Sequence, residues 1–146
     1  MAKTTQPDVV VIVDDELHNM VWLEDYLIAK GLTVLKADNL NVALPIIEVD
    51  IFRALIVDLN VPVLPPLDEV VRRRGGVYSV FPGLYFADFA RNRGYRDRQV
   101  ILYSVHKDPG VQAEATKLGC TYLLKGRPRE IKEELDAVIS FDPTAE

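Results

Sequence analysis

Asp14 and Asp15 stand together at the end of the apolar run Val9 to Val13, and Asp58 stands at the end of another, Ala54 to Val57. Ser104 closes a third such run, Val100 to Tyr103, and Lys125 follows a weaker fourth, Thr121 to Leu124. Taken singly, each has an ordinary explanation: an Asp or Ser after a strand forms a turn or caps a helix, and a loop lysine is solvated. Taken together they are three carboxylates, a hydroxyl and an ammonium at equivalent points of similar segments. Crowded carboxylates raise one another's pKa unless a cation lies among them, and an oxygen-rich, partly hydrated pocket suits Mg²⁺. A divalent metal site is the simplest expectation, provided the run ends converge.

The surrounding elements make them converge. The four runs are too short for helices and, being apolar and β-branched, read as strands buried on both faces, while Leu32 to Lys36 reads as a mixed edge strand. Between them lie helical patterns. Leu17, Met20, Val21, Leu23, Leu27 and Ile28 share one arc, with Gly31 as the stop. Asn39 caps a second helix through Ile47, loosened by Pro45, which removes a backbone donor. Gly83 to Arg93 and Pro109 to Leu118 follow, and Ile131, Leu135 and Val138 mark a last helix with Pro128 in its first turn. Five βα units predict an α/β fold with a doubly wound parallel sheet, which binds ligands beyond the C-terminal ends of its strands.

Composition narrows the function classes. With 146 residues, 49% of them hydrophobic, and a net charge of −5, the chain has material for one domain with a sizeable core. The acidity and the short basic run Arg72 to Arg74 argue against direct nucleic-acid binding. The single cysteine, Cys120, excludes an internal disulfide and reads as a small buried residue. No apolar run approaches a membrane span and the N-terminus lacks a signal-peptide core, so a cytoplasmic location and no membrane partner are expected.

The motifs VIVDD, ALIVDLNVP, VILYS and YLLKG, in that order, resemble the receiver domain of two-component response regulators. The resemblance runs from about Val9 to Phe141, with tails at 1–8 and 142–146, and implies a flavodoxin-like sheet of strand order 2-1-3-4-5. It implies a phosphorylation-dependent switch in which Asp58 takes a phosphoryl group from a histidine kinase or histidine phosphotransfer protein and thereby alters binding to a downstream protein target. Self-catalysed phosphorylation and slow autodephosphorylation at Asp58, rather than turnover of a substrate, go with that role. Position by position, Asp15 matches a direct Mg²⁺ ligand, Asp14 a partly water-mediated one, Asp58 a ligand as well as the nucleophile, and Asn60 the residue whose backbone carbonyl completes the set. Ser104 matches the hydroxyl that bonds the phosphoryl oxygens, Lys125 the ammonium that pairs with them, and Tyr122 the aromatic switch. Asn60 and His106 match the pair of positions that tunes dephosphorylation. Phosphoryl transfer asks a protein mainly to position groups and neutralise charge, which suits this set.

Three departures from the family stand out. Gly126 follows Lys125 where receivers place a cis-proline, and a cis bond before a non-proline residue costs about 3 kcal/mol, so this loop is expected to be built differently. Val105 follows Ser104 where a small residue is usual, and would narrow the approach to Asp58. The third is length: Ser104 lies 46 residues beyond Asp58, an excess over the family that falls at about 62–82. Inside it Pro65 and Pro66 lead into an acidic first turn, Arg72 to Arg74 form a basic last turn and Gly75-Gly76 ends it, predicting a helix over 66–74. An aromatic-bearing loop through Val77, Tyr78, Val80 and Phe81 is expected next, the whole acting as a lid or docking element beside Asp58, or as a tolerated surface insertion.

Trp22 and Tyr26 fall on the outward arc of the first helix, where receivers dock their kinase or phosphotransfer partner, and are candidate partner-binding residues. Beyond Phe141 only DPTAE remains, which fits a stand-alone receiver or one excised from a longer protein. Two further readings stay open: a degenerate receiver that binds partners without phosphorylation, and a phosphatase using Asp58. The second is disfavoured because haloacid-dehalogenase-type phosphatases need an Asp where Asn60 stands.

Overall fold

The computed structural model describes residues 3–105 and 107–145. Five strands, β1 (Gln6–Val13), β2 (Thr33–Ala37), β3 (Phe52–Asp58), β4 (Val100–Ser104) and β5 (Thr121–Leu124), form one parallel sheet in the order β2-β1-β3-β4-β5. The helices are α1 (Val21–Ala29), α2 (Leu40–Val49), α3 (Leu67–Arg74), α4 (Gly76–Val80), α5 (Pro82–Arg93), α6 (Pro109–Leu118) and α7 (Pro128–Ser140). The expected doubly wound sheet and its strand order are both present, with β2 at an edge.

Strand periodicity divides the core into two layers. Val10, Ile12, Ala54, Ile56, Ile101 and Tyr103 face α1 and α7, packing on Leu23, Leu27, Ile131, Leu135 and Val138. Val11, Val13, Leu55, Val57, Val100 and Leu102 face α2, α5 and α6. Helix ends follow their chemistry. Asn39 Oδ1 accepts the Val42 N–H at 3.0 Å and caps α2, Asp108 Oδ1 accepts the Val111 N–H at 3.1 Å and caps α6, and Gly119 ends α6 in the left-handed region at φ 73°.

Two local expectations need correction. The chain from Leu17 to Met20 is a tighter 3₁₀ turn, with no side-chain cap at Glu16, and the α-helix proper starts at Val21. Its buried stripe is Met20, Leu23 and Leu27, and Val21 and Ile28, one full heptad apart, lie outside it, each 52% exposed. In the inserted segment the helix over 66–74 is present as α3, but the expected loop after it is the short helix α4. Gly75 and Gly76, at φ 71° and 58°, turn the chain sharply between the two.

The insertion is packed rather than loose. Val71 is buried, and Leu67, Val77, Tyr78 and Phe81 lie against the layer of α2, α5 and α6. Asn41 in α2 clasps its entry twice, donating to the Leu64 carbonyl at 3.0 Å and accepting the Leu64 N–H at 2.8 Å. At its exit the Gly83 N–H donates to the Leu59 carbonyl at 3.0 Å. A Cβ on Gly83 would lie 2.4 Å from the Asp58 carbonyl oxygen, so only glycine lets α5 come this close to the end of β3.

Candidate functional site

Parallel pairing sets Val13 beside Val57 and Asp58 beside Tyr103, so the residue after β1 and the last residue of β3 emerge together at one sheet edge. Asp14 and Asp58 have the parity of Ile12 and Ile56 and so belong to the α1/α7 side, as do Tyr103 and Lys125. Ser104 and Tyr122 have the parity of Leu102 and belong to the other side.

Lys125 joins the first group together. Its Nζ donates to Asp14 Oδ2 at 2.9 Å, stands 3.5 Å from Asp58 Oδ1, and lies 4.9 Å from the centre of the Tyr103 ring. The Tyr103 hydroxyl in turn donates to Met20 Sδ at 3.4 Å, which fixes the ring under the ammonium. Asp14 is 1% exposed, and its other carboxylate oxygen accepts the Glu16 N–H at 2.8 Å. Asp58 is also buried and accepts the Asn60 N–H. Asp15 is exposed beside them.

Burial pushes the Asp58 carboxyl up from the ordinary carboxylate range, and the charges of Asp14 and Asp15 add to it against Lys125 and the Asn60 N–H. For Lys125 burial works against the ammonium, but the hydrogen bond to Asp14 and the charges of Asp58 and Asp14 prevail and raise its pKa. The site thus keeps a charged lysine among carboxylates that repel one another.

The donor set fits a hard divalent cation. Carboxylate oxygens of Asp14, Asp15 and Asp58 lie within 4.8 Å of one another. That is close to the span bridged by an octahedral ion with oxygen ligands at about 2.0–2.1 Å. Lys125 brings one positive charge to three carboxylates, so a second cation relieves their repulsion.

On the opposite side of the sheet edge, Ser104 is fully buried and hydrogen-bonds the Tyr122 phenol, which also takes the Asp108 N–H. Burial raises the pKa of Tyr122, and these two hydrogen bonds oppose the rise. His106 lies outside the described residues. Val105 is exposed. The lysine loop is built without a cis bond: among the described residues the only cis peptide joins Pro65 and Pro66, and Gly126 turns the chain at φ 87°.

Trp22 is 36% exposed on α1, as its position on the wheel predicts. Tyr26 is half-buried instead: its hydroxyl donates to Asp136 Oδ1 at 2.6 Å in α7, and Lys30 and Lys132 cover its ring. Its side chain serves the contact between α1 and α7. The exposed Asn60 borders a pocket of about 350 Å³ whose far wall is Asp68, Val71 and Arg72 of α3 with Ser79 and Val80 of α4. Tyr103 and Gly83 were not among the residues expected from sequence. Strand parity marks Tyr103 as facing Lys125, whereas the close approach at Gly83 depends on where α5 lands.

No family model matches the sequence, and no curated protein sequence matches it. Solved structures do match, over nearly the whole chain. The chemotaxis protein CheY4 of Vibrio cholerae is 20% identical with a TM-score of 0.65, covering 94% of this chain and 99% of its own. A response regulator receiver domain protein of Methanospirillum hungatei is 17% identical with a TM-score of 0.69, over 91% and 94%. The non-phosphorylated HemR receiver domain of Leptospira biflexa is 15% identical with a TM-score of 0.71, over 94% and 98%. The chain has the fold of response regulator receiver domains. Among the described residues, no helix is long and apolar enough to cross a membrane.

Proposed function

We propose that this chain is a phosphorylation-dependent signalling switch that accepts a phosphoryl group on Asp58. The observation that carries the reading is the meeting of Asp14, Asp58 and Lys125 at the C-terminal edge of a receiver-type sheet, with the ammonium between the two carboxylates. A carboxylate oxygen of Asp58 attacks the phosphorus of a phosphohistidine, the P–N bond breaks, and the histidine of a kinase or phosphotransfer protein leaves with the bonding pair. Lys125 is placed to neutralise an equatorial phosphoryl oxygen, and Ser104 to donate to another once its segment turns toward Asp58. Asp14, Asp15, Asp58 and the Asn60 carbonyl would hold a Mg²⁺ ion, which would supply further neutralisation of charge on the phosphoryl group. The added charge on Asp58 then favours a second arrangement of the Ser104 and Tyr122 pair, and a downstream protein reads the difference. Trp22, exposed on α1, is a candidate contact for a partner.

The test is a titration with beryllofluoride and Mg²⁺, which together mimic the aspartyl phosphate, followed by Trp22 fluorescence and backbone amide shifts. The expected result is a saturable, Mg²⁺-dependent change that Asp58→Ala abolishes. A response that survives Asp58→Ala, or no response at all, overturns the switch and leaves a phosphorylation-independent interaction module.

A further inference from the structure

The inserted segment touches the helix that follows Ser104, and it does so through one side chain above all. The Tyr78 hydroxyl in α4 donates to Glu114 Oε2 in α6 at 2.9 Å. The same ring lies 4.2 Å from the Arg74 guanidinium, which is itself held by Asp88 of α5 at 2.8 Å. Val77 sits against the first turn of α6, so closely that a Cβ on Gly110 would come 3.2 Å from its methyl. From there the contacts continue to the site: Asp108 caps α6, its N–H donates to the Tyr122 phenol, and that phenol hydrogen-bonds Ser104. Ser104 has the strand parity of the face opposite Asp58, so it can serve a phosphoryl group there only if its end of β4 turns, and α6 must accommodate that turn.

We propose that Tyr78 is a positioning residue: by holding α6 through Glu114 it keeps Ser104 and Asp108 in the arrangement with Ser104 on the face opposite Asp58, so that the insertion sets how readily the site takes up a phosphoryl group. This rests on Asp58 being the phosphoacceptor. A contact made in one of two states shifts their balance by its own free energy, and the same contact is weakened when the other state is favoured. The insertion is therefore a place where a bound protein can raise or lower the response of Asp58.

The experiment is the beryllofluoride titration in Mg²⁺ on the full chain and on Tyr78→Phe, Glu114→Ala, Glu114→Gln and the double variant Tyr78→Phe/Glu114→Ala. Loss of one part-buried hydrogen bond of ordinary net strength is expected to tighten apparent binding about three- to tenfold in Tyr78→Phe and Glu114→Ala. Glu114→Gln, which keeps an acceptor for the phenol, should bind as the unaltered chain does, and the double variant should gain no more than either single one. Unchanged or weaker binding in both Tyr78→Phe and Glu114→Ala overturns the role of Tyr78 while leaving the switch intact. An unaltered chain that fails to respond removes the phosphoacceptor reading, and this inference with it.

Discussion

Lys125 donates to Asp14 at 2.9 Å while standing 3.5 Å from Asp58, so the ammonium is closer to the carboxylate after β1 than to the one that ends β3. The arrangement follows from burial. Asp14 is 1% exposed against 7% for Asp58, so with one backbone N–H on each carboxylate the more deeply buried charge has the greater need of the ammonium. A phosphoryl group on Asp58 brings oxygens into reach of the same ammonium without moving the lysine far.

Lys125→Met, which keeps the stem over Tyr103, should therefore act twice. It leaves Asp14 without its counter-charge, at a cost of about 2 kcal/mol, less than the roughly 3–5 of a fully buried pair because Lys125 retains some solvent contact. It should also weaken beryllofluoride binding by about tenfold or more, since a charge-assisted contact to the phosphoryl mimic is gone. Urea unfolding and the titration read the two effects separately. Wild-type stability in the variant would mean that Asp14 is not held by Lys125 in solution.

Removing the nucleophile's charge should stabilise the fold when no divalent ion is present. Burial, then the charges of Asp14 and Asp15, raise the Asp58 pKa, so its ionised form is disfavoured in the folded chain. A carboxyl whose pKa rises on folding favours the folded state while protonated and loses that contribution as pH climbs through its folded value. At pH 7.5 in EDTA, Asp58→Asn should melt a few degrees higher, about the shift that 1 kcal/mol gives a chain of this size. Adding Mg²⁺ should narrow the gap. A melting point equal to or below that of the unaltered chain would contradict the crowding of these three carboxylates.

How much of this could be read from sequence depended on local signals. The bounds of β5 and α6 were legible to the residue, because α6 carries a proline at its start, an Asp cap and a glycine stop. Asp14, Asp58 and Lys125 were legible as a group because each ends an apolar run, and parallel strands bring such ends together. The helix α4 was not, since five residues hold too little of a helical period to register against a loop. The surroundings of Tyr26 were legible only in part. The helical wheel shows which way a residue points on α1, but not that α7 brings Asp136 up to meet its hydroxyl. The distance from the insertion to α6 is likewise a tertiary fact, set by the landing of α5 on Leu59 and not by any spacing within the segment.

That landing makes a third prediction. A Cβ at position 83 would meet the Asp58 carbonyl oxygen at 2.4 Å and the Leu59 Cα at 2.7 Å, both backbone atoms that cannot swing away. Gly83→Ala should cost about 1–3 kcal/mol as overpacking. Because the displaced atoms belong to Asp58 and its neighbour, beryllofluoride affinity should fall as well. A variant with unchanged melting and affinity would show that α5 is free to move away from β3.

The last prediction concerns the far end of the sheet. Asp142 Oδ1 accepts the Thr4 hydroxyl at 2.8 Å and the Thr144 N–H and hydroxyl at 2.9 Å each, while Gln99 Nε2 donates to Thr4 Oγ1 at 3.2 Å. Burial pushes the Asp142 carboxyl up, but the Thr144 N–H, the Thr4 and Thr144 hydroxyls and the Arg53 charge outweigh it and hold the pKa below the usual range. A carboxylate depressed on folding contributes stability above its unfolded pKa, near 3.9, and loses it as pH falls through that value toward the folded one. Asp142→Asn keeps an acceptor but not the charge, and should lower stability by about 0.5–1 kcal/mol at pH 6, the worth of one such hydrogen bond. At pH 2.5 the deficit should shrink, because the wild-type carboxyl is protonated in the unfolded chain there and its charge favours the folded state less. Urea midpoints of both chains at the two pH values measure it, and a deficit that grows in acid would mean that Asp142 is not the charged centre of this clasp.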